Sequence, residues 1–319
     1  MPPTVLVTGG AGFIGSHVVD ALVGEGKRVI VIDDLSAGDP DRVNDEATLE
    51  TVDITDRAKL DPLVDSASPT AIYHLAAQAS VTASVTGPLR DCQVNVEGTL
   101  HLLEGARRCR APLVFTSTGG ALYGNDAPIP TPETFIPSPL APYGASKWSA
   151  EAYVKTWANS SRLPHAVARL GNVYGPRQSP HGEAGVVAIF SHALWSGERP
   201  RMFGQGKPTR DYIHVADVVE ALLRATGTSG TFNVATGIET SVEDLYWDLA
   251  QAAGSSIEPE RLPLREGELE RSCMDPSLAE HELGWRARVP IADGLMQTYR
   301  ELVEEFEARE RTGSRVSRG

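Results

Sequence analysis

Cysteine is scarce in this sequence: Cys92, Cys109 and Cys273 are scattered and odd in number, so no disulfide framework is laid out. The first apolar run begins almost at Met1 and leaves no room for a signal peptide, which makes a reducing cytoplasm the expected setting. No apolar run approaches the ~20 residues needed to span a bilayer, so no membrane partner is expected. The eight histidines show no ligand spacing, so no metal is expected either. Positive charge is short as well. Against 42 Asp and Glu stand 29 Lys and Arg, a formal charge of −13 with no basic face, which disfavours nucleic acid or an anionic membrane as partner. What is present is 319 residues, 41% of them hydrophobic, enough for one large or two medium globular domains, with no internal repeat.

The organising stretch is Thr4 to Asp34. Thr4-Val5-Leu6-Val7-Thr8 is a short β-branched run that reads as a buried parallel strand, and Gly9, Gly12 and Gly15 follow it with GxxGxxG spacing. Phe13, Ile14, Val18, Val19, Ala21 and Leu22 then recur at helical spacing, so a helix begins inside the glycines. A glycine loop leading into a helix N-terminus lets a pyrophosphate approach free N–H groups and the positive dipole end. Arg28 to Ile32 is a second strand ending on Asp33. A carboxylate there, about 20 residues beyond the loop, accepts hydrogen bonds from the adenosine ribose and repels a 2′-phosphate, favouring NAD over NADP.

Further along, Asp34-Leu35-Ser36-Ala37-Gly38 is polar and turn-like, suited to a loop over an adenine. Leu49 to Val52 reads as a strand ending at Asp53 and Ile54, Arg57 to Val64 as a helix, and Ala71 to Leu75 as a strand ending in Ala76, Ala77 and Gln78. Pro88 to Cys109 reads as one long helix containing Asn95, and Pro112 to Ser117 as a strand running into Thr118. A helix from near Tyr143 and a strand from His165 to Leu170 complete the alternation. The expected fold class is α/β, a doubly wound parallel sheet of Rossmann type with a smaller α/β C-terminal substrate lobe. Residues 1–176 are expected to form the dinucleotide domain, with 213–236 returning to it, and 177–319 mainly the second lobe, frayed from about Glu307.

Tyr143-Gly144-Ala145-Ser146-Lys147 puts a phenol and an ammonium on one face of one helix. A free tyrosine, with a pKa near ~10, is a poor base at neutral pH, and a cation one turn away stabilises its phenolate. The blander reading, a half-buried aromatic beside a solvated lysine, loses weight downstream of a dinucleotide loop.

Thr8 to Gly15 (TGGAGFIG), His74-Leu75-Ala76-Ala77, Tyr143 with Lys147, and Arg210-Asp211-Tyr212 together resemble the extended short-chain dehydrogenases that modify nucleotide sugars. The likeness reaches about residue 305 and is nearest to the UDP-glucose (UDP-galactose) 4-epimerases, through STGGALYG and NVYGPRQ…GEAGVVAIF. It implies tightly held NAD used without net consumption. Tyr143 would take the proton of the sugar 4-hydroxyl, Lys147 would lower its pKa, and Ser117 or Thr118 would hydrogen-bond the 4-oxygen. The cofactor set implied is Gly9, Gly12, Phe13, Ile14, Gly15, Asp33, Asp34, Ser36, Gly38, Asp53, Ile54, Leu75, Ala76, Ala77, Gln78, Asn95, Thr116, Tyr143, Lys147 and Val173. The substrate set implied is Ser84, Thr118, Asn172, Val187, Arg201, Phe203, Arg210, Arg265, Glu268 and Ser272. A homodimer through a four-helix bundle, built from the Pro88 to Cys109 and Tyr143 to Asn159 helices, is also implied.

The chain departs from the family at one point: four residues before Tyr123 stands Gly119, where the catalytic hydroxyl usually lies, and the nearest hydroxyl is Thr118. Gly119 and Gly120 also lack the acidic pair of the 4,6-dehydratase relatives, which leaves simple inversion at C4. Alternatives are a 4-epimerase of another UDP sugar (uronic acid, pentose or N-acetylhexosamine), or a silent NAD-binding scaffold, against which the intact Tyr143 and Lys147 argue.

Overall fold

A computed structural model describes residues 2–180, 185–265 and 269–311 of the protein. Its first part alternates strands and helices: β1 (Thr4–Thr8), α1 (Phe13–Gly24), β2 (Arg28–Asp33), β3 (Thr48–Thr51), α2 (Arg57–Ala67), β4 (Ala71–His74), α3 (Val81–Thr86), α4 (Pro88–Cys92), α5 (Gly98–Cys109), β5 (Leu113–Thr118), α6 (Pro142–Ser161) and β6 (His165–Leu170). Then come β7 (Asn172–Tyr174), α7 (Val186–Ser196), β8 (Arg201–Met202), β9 (Thr209–Arg210), β10 (Tyr212–His214), α8 (Val215–Ala225), β11 (Gly230–Val234), β12 (Thr240–Ser241), α9 (Val242–Ala252), β13 (Glu260–Arg261), α10 (Ser277–Leu283) and α11 (Ile291–Arg311).

Seven strands pair in the order β11-β6-β5-β4-β1-β2-β3, and every pairing is parallel. Parallel strands need covering on both faces, which is why β1 and β2 are almost unbroken apolar runs. One face packs Val18, Val19 and Leu22 of α1 with Val218 and Leu222 of α8. The other packs Leu60 and Val64 of α2, Leu102 and Leu103 of α5, and Ala150 and Val154 of α6. The strand order reverses between β1 and β4, so a crevice opens at the carboxyl ends of these strands, the usual seat of a ligand in such sheets. β11, far along the chain, returns to pair with β6 at the sheet edge. A separate core of Phe190, Leu194, Tyr246, Leu249 and Leu295 holds α7, α9 and α11 together, with the Phe190 and Tyr246 rings edge to face at 5.2 Å.

Two expectations need correction. Pro88 to Cys109 is not one uniform α-helix: Gln93–Glu97, between α4 and α5, is a π-helical turn. Thr99 Oγ1 donates to the Asn95 carbonyl at 2.7 Å, competing for the acceptor that a regular turn would use, and the wider turn brings the Asn95 side chain to Gln78. Residues 307–311 are helical and not frayed, since α11 runs to Arg311, and the rest of the expected frayed tail lies outside the described residues. Phe306 is buried and Arg309 bridges Asp39 at 3.1 Å and Glu305 at 2.6 Å, tying the last turns to the loop after β2.

Candidate active site

The loop between β1 and α1 is built for close approach. Gly9 has φ +71°, and a Cβ on it would stand 2.6 Å from the Ala76 nitrogen, while a Cβ on Gly15 would fall on the Gly9 carbonyl oxygen. The glycines therefore let the loop fold tightly on itself and against the end of β4. α1 opens at Phe13 with Gly12 as its N-cap and no side-chain cap, leaving its first N–H groups to other acceptors. Phe13 and Ile14 are half-buried in that first turn.

Asp33 closes the other end of this cradle. Its Oδ2 accepts from Ala11 N at 3.0 Å and its Oδ1 from Leu35 N at 2.9 Å, which fixes the carboxylate at the tip of β2. Burial pushes its pKa up, opposed by those two amides. A Cβ on Gly38 would stand 2.8 Å from Asp33 Oδ1, so Gly38 leaves that oxygen accessible. Asp34 takes the Ser36 N–H at 2.9 Å and hydroxyl at 2.6 Å, shaping the loop. Asp53 accepts from Thr55 and pairs with Arg90 at 2.8 Å, and Ile54 beside it is buried. The cradle thus fits a dinucleotide with a free adenosine ribose.

At the ends of β1 and β4 the main chain is held by a buried relay. Leu75 N donates to Thr8 O at 3.0 Å, and Ala76 N donates to Thr8 Oγ1 at 3.2 Å. His74 joins Thr8 Oγ1 at 2.8 Å through Nδ1 and Thr99 Oγ1 at 2.9 Å through Nε2. Because the Thr99 hydroxyl proton goes to Asn95 O, Nε2 must be the donor and Nδ1 the acceptor. Burial, and then the Lys147 charge, lower His74 to about 3, so it stays neutral.

Tyr143 and Lys147 lie in the first turns of α6, facing β5. Lys147 Nζ donates to Thr116 O at 3.0 Å and sits 4.7 Å from the centre of the Phe115 ring. Burial lowers Lys147 to about 8, against Asp91 and Glu151, which raise it. Burial raises Tyr143 to about 12, Asp91 adding to the rise and a hydrogen bond with Thr118 opposing it. The hydroxyl that meets the phenol is thus Thr118's, while Ser117 Oγ is buried with no partner among the described residues. Thr116 turns its own hydroxyl to His74 O at 3.1 Å.

Asn95 and Gln78 lock together beside this pair. Gln78 N donates to Asn95 Oδ1 at 2.9 Å, and Asn95 Nδ2 reaches Gln78 O at 3.0 Å, Ser146 Oγ at 3.0 Å and Asp91 Oδ1 at 3.1 Å. Ala77 is half-buried just before them. One turn beyond Lys147, Glu151 takes a bidentate bond from Arg169 of β6, whose Nη1 also donates to Tyr123 Oη at 2.8 Å.

A cleft of about 950 Å³ adjoins, and Asn172, Val173, Val187, Arg201, Phe203, Arg210 and Arg265 all line it. The Arg265 guanidinium stacks 3.8 Å from the centre of the Phe203 ring, an arrangement suited to a planar base and a diphosphate. Not every expected residue is there. Ser84 is buried with its hydroxyl donating to Val81 O at 2.6 Å. Ser272 is half-buried, its N–H donating to Thr209 O at 3.2 Å beside Arg210. Glu268 lies outside the described residues.

Three contributors escaped the sequence reading. Asp91 and Glu151 carried a faint signal, being four residues from Asn95 and Lys147 respectively, hence on their faces. Asp211 was seen only as part of a motif, yet its carboxylate gathers Thr236 N at 2.8 Å, Gly237 N at 3.0 Å and Met274 N at 3.3 Å, joining the end of β11 to the segment that carries Ser272.

Comparison with known proteins accords with this geometry. Residues 5–235 match the family described as NAD dependent epimerase/dehydratase. The chain is 45% identical over 302 residues to a UDP-glucose 4-epimerase of Mycolicibacterium smegmatis, covering 92% of this chain and 96% of that one. Among solved structures, the UDP-glucose 4-epimerase of Thermotoga maritima with UDP-glucose superposes with a TM-score of 0.93 at 43% identity, over 95% of this chain and 99% of that one. The UDP-glucose 4-epimerase of Thermus thermophilus in complex with NAD gives 0.87 at 40% identity, over 94% and 98%.

Proposed function

The chain belongs to the NAD dependent epimerase/dehydratase family, and from that premise we propose that it is a UDP-glucose 4-epimerase, inverting C4 of a UDP-hexose through a transient 4-keto sugar. The observation that supports the reading is a buried phenol–ammonium pair, Tyr143 with Thr118 as hydrogen-bond partner and Lys147 one turn away, in a chain that also holds a dinucleotide cradle and a cleft lined by Arg210, Arg265 and Phe203.

NAD, when bound, supplies the acceptor and donor of the C4 hydride and a positive ring that favours the phenolate. The main-chain N–H groups of the first turn of α1, from Phe13 to Gly15, would hold its diphosphate, while Asp33 would hold its adenosine ribose. Tyr143 takes the 4-hydroxyl proton as the C–H bond breaks and returns it after the ketone has turned its other face. Thr118 donates to the 4-oxygen as charge develops there. Burial alone sets Tyr143 high and Lys147 low, so the lysine must keep its proton for the phenol to give up its own. Gly119 and Gly120 offer no acid or base for elimination, which leaves inversion.

The enzyme acts in the cytoplasm in this reading, where Cys92, Cys109 and Cys273 stay free thiols. Among the described residues no helix is long and apolar enough to cross a membrane. Val85 and Leu89, next to α6, are 62% and 81% exposed, with Trp148 and Tyr153 of α6 also exposed. This apolar face, on contacting helices, supports a homodimer through a four-helix bundle. The test of function is direct: incubate the purified protein with a panel of UDP sugars, add no NAD, and follow products by proton NMR. Interconversion of UDP-glucose and UDP-galactose is expected. Protein that carries NAD yet turns over none of the sugars would be a silent scaffold.

A further inference from the structure

One buried charge has no part in the mechanism above. Asp91 of α4 is only 1% exposed, and both of its hydrogen bonds fall on the same oxygen, Gln78 Nε2 donating to Oδ1 at 2.9 Å and Asn95 Nδ2 at 3.1 Å. Both donors are neutral amides. The other carboxylate that acts on Lys147 is Glu151, whose charge is already matched by Arg169 at 2.6 Å. Among the described residues no cation pairs directly with Asp91, and burying a carboxylate without such a partner is costly, so the position is informative.

Among the described residues, the neighbouring elements carry these charged and titratable groups. From α6 come Tyr143, Lys147 and Glu151, the last with Arg169 of β6. β4 contributes His74, which is neutral. On α4 itself Arg90 turns outward to Asp53 at 2.8 Å, and in the π turn Glu97 faces His101 at 3.9 Å. α3 carries only Val, Thr, Ala and Ser.

We propose that Asp91 is a positioning residue of this reaction: its buried carboxylate pins Gln78 and Asn95, the latter also held to Ser146 of α6, and supplies a negative charge that acts on Tyr143 and Lys147. The inference rests on reading that pair as the proton-handling groups. A negative charge favours the protonated form of both, and Asp91 raises both. Its effect on Lys147 is the useful one, since it favours the charged ammonium in a site where burial disfavours it. Removing the charge moves every proton loss of the coupled pair to lower pH, whichever group is assigned each step.

Asp91→Asn tests this cleanly, because the asparagine oxygen can still accept from Gln78 and Asn95 while the charge is gone. The measurement is kcat/KM against pH for the wild type, Asp91→Asn, Asp91→Glu and Tyr143→Phe, with bound NAD and thermal unfolding checked for each. Both limbs of the Asp91→Asn profile should move to lower pH by about one unit, and Asp91→Glu should restore them. A profile that only falls in height with its limbs in place, while Tyr143→Phe is inactive, overturns the role of Asp91 and leaves the proton pair standing. Activity retained in Tyr143→Phe instead overturns the pair itself. Should the asparagine protein not fold, Asp91→Ser removes the same charge at smaller volume, and its limbs decide the matter.

Discussion

The Met274 thioether lies where a Cβ on Gly119 would have to stand. Met274 is 2% exposed, so its thioether has little room into which to withdraw. The place from which relatives present a hydroxyl is thus filled from the far side, and Thr118, one residue earlier, meets Tyr143 instead. Gly119→Ser should destabilise the protein by about 1–3 kcal/mol through overpacking. Adding Met274→Ala should make the pair less unstable than the sum of the two single changes, as read by urea unfolding. Strict additivity would show that the two positions do not share the space.

Tyr143→Phe should fold, retain NAD and lose about 10²–10⁴-fold in kcat, because only the ionisable oxygen is removed. Thr118→Ala should slow turnover less. The comparison is of kcat and of NAD released on denaturation. An undiminished rate in the phenylalanine protein points to another base.

The Glu151–Arg169 pair is buried on both sides, with side-chain exposures of 6% and 7%. Arg169→Ala should therefore cost about 3–5 kcal/mol, leaving Glu151 as a buried charge without its partner. Differential scanning calorimetry reads this as a lower Tm. A loss below about 1 kcal/mol would mean that water reaches Glu151.

Acid sensitivity is expected from His74, whose folded value of about 3 lies below the ordinary 6.5. Between the two, the unfolded chain binds a proton that the folded chain does not. The contribution is therefore complete above pH 6.5 and is lost as pH falls towards 3, at up to about 1.4 kcal/mol per pH unit. Unfolding free energies measured from about pH 7.5 to about 4.5 should fall more steeply for the wild type than for His74→Gln. Equal slopes would remove His74 from the account.

Counting along the family resemblance, the position at which a large aromatic would border the sugar 2-position falls on Ser272, which is small. The protein should accept UDP-N-acetylglucosamine alongside UDP-glucose, and Ser272→Tyr should lower kcat/KM for the N-acetyl sugar while sparing the other. No turnover of the N-acetyl sugar by the wild type would show that Ser272 is not the gate.

What could be read in advance was whatever is written in residue type at short range. Gly9 and Gly15 are needed because the main chain leaves no room for a Cβ, and Tyr143 with Lys147 share a face by helix geometry alone. The strands were legible because burial on both faces demands Val and Ile in unbroken runs. The π turn was not, since Asn95 sits in an ordinary helical pattern and its displacement arises from Thr99, Gln78 and Ser146. Asp91 drew no notice for the same reason: its partner Gln78 comes 13 residues earlier, across a turn. The helical end of the chain depends on Arg309 meeting Asp39 across 270 positions, which no local pattern records. Arg265, Phe203 and Arg210 converge on one cleft from distant segments, and only family likeness pointed to them.

The late pairing of β11 with β6 also bears on how the chain is made. Six strands of the sheet have been synthesised once Leu170 is added, but the edge of β6 waits for Gly230–Val234. At about 5–20 residues per second, that edge is uncovered on the ribosome for on the order of several seconds. During this interval Ala166 to Leu170 offers a fully apolar strand, apart from Arg169, to any neighbouring nascent chain. The buried arginine, whose partner Glu151 has already been translated, is then the one charge guarding the growing edge.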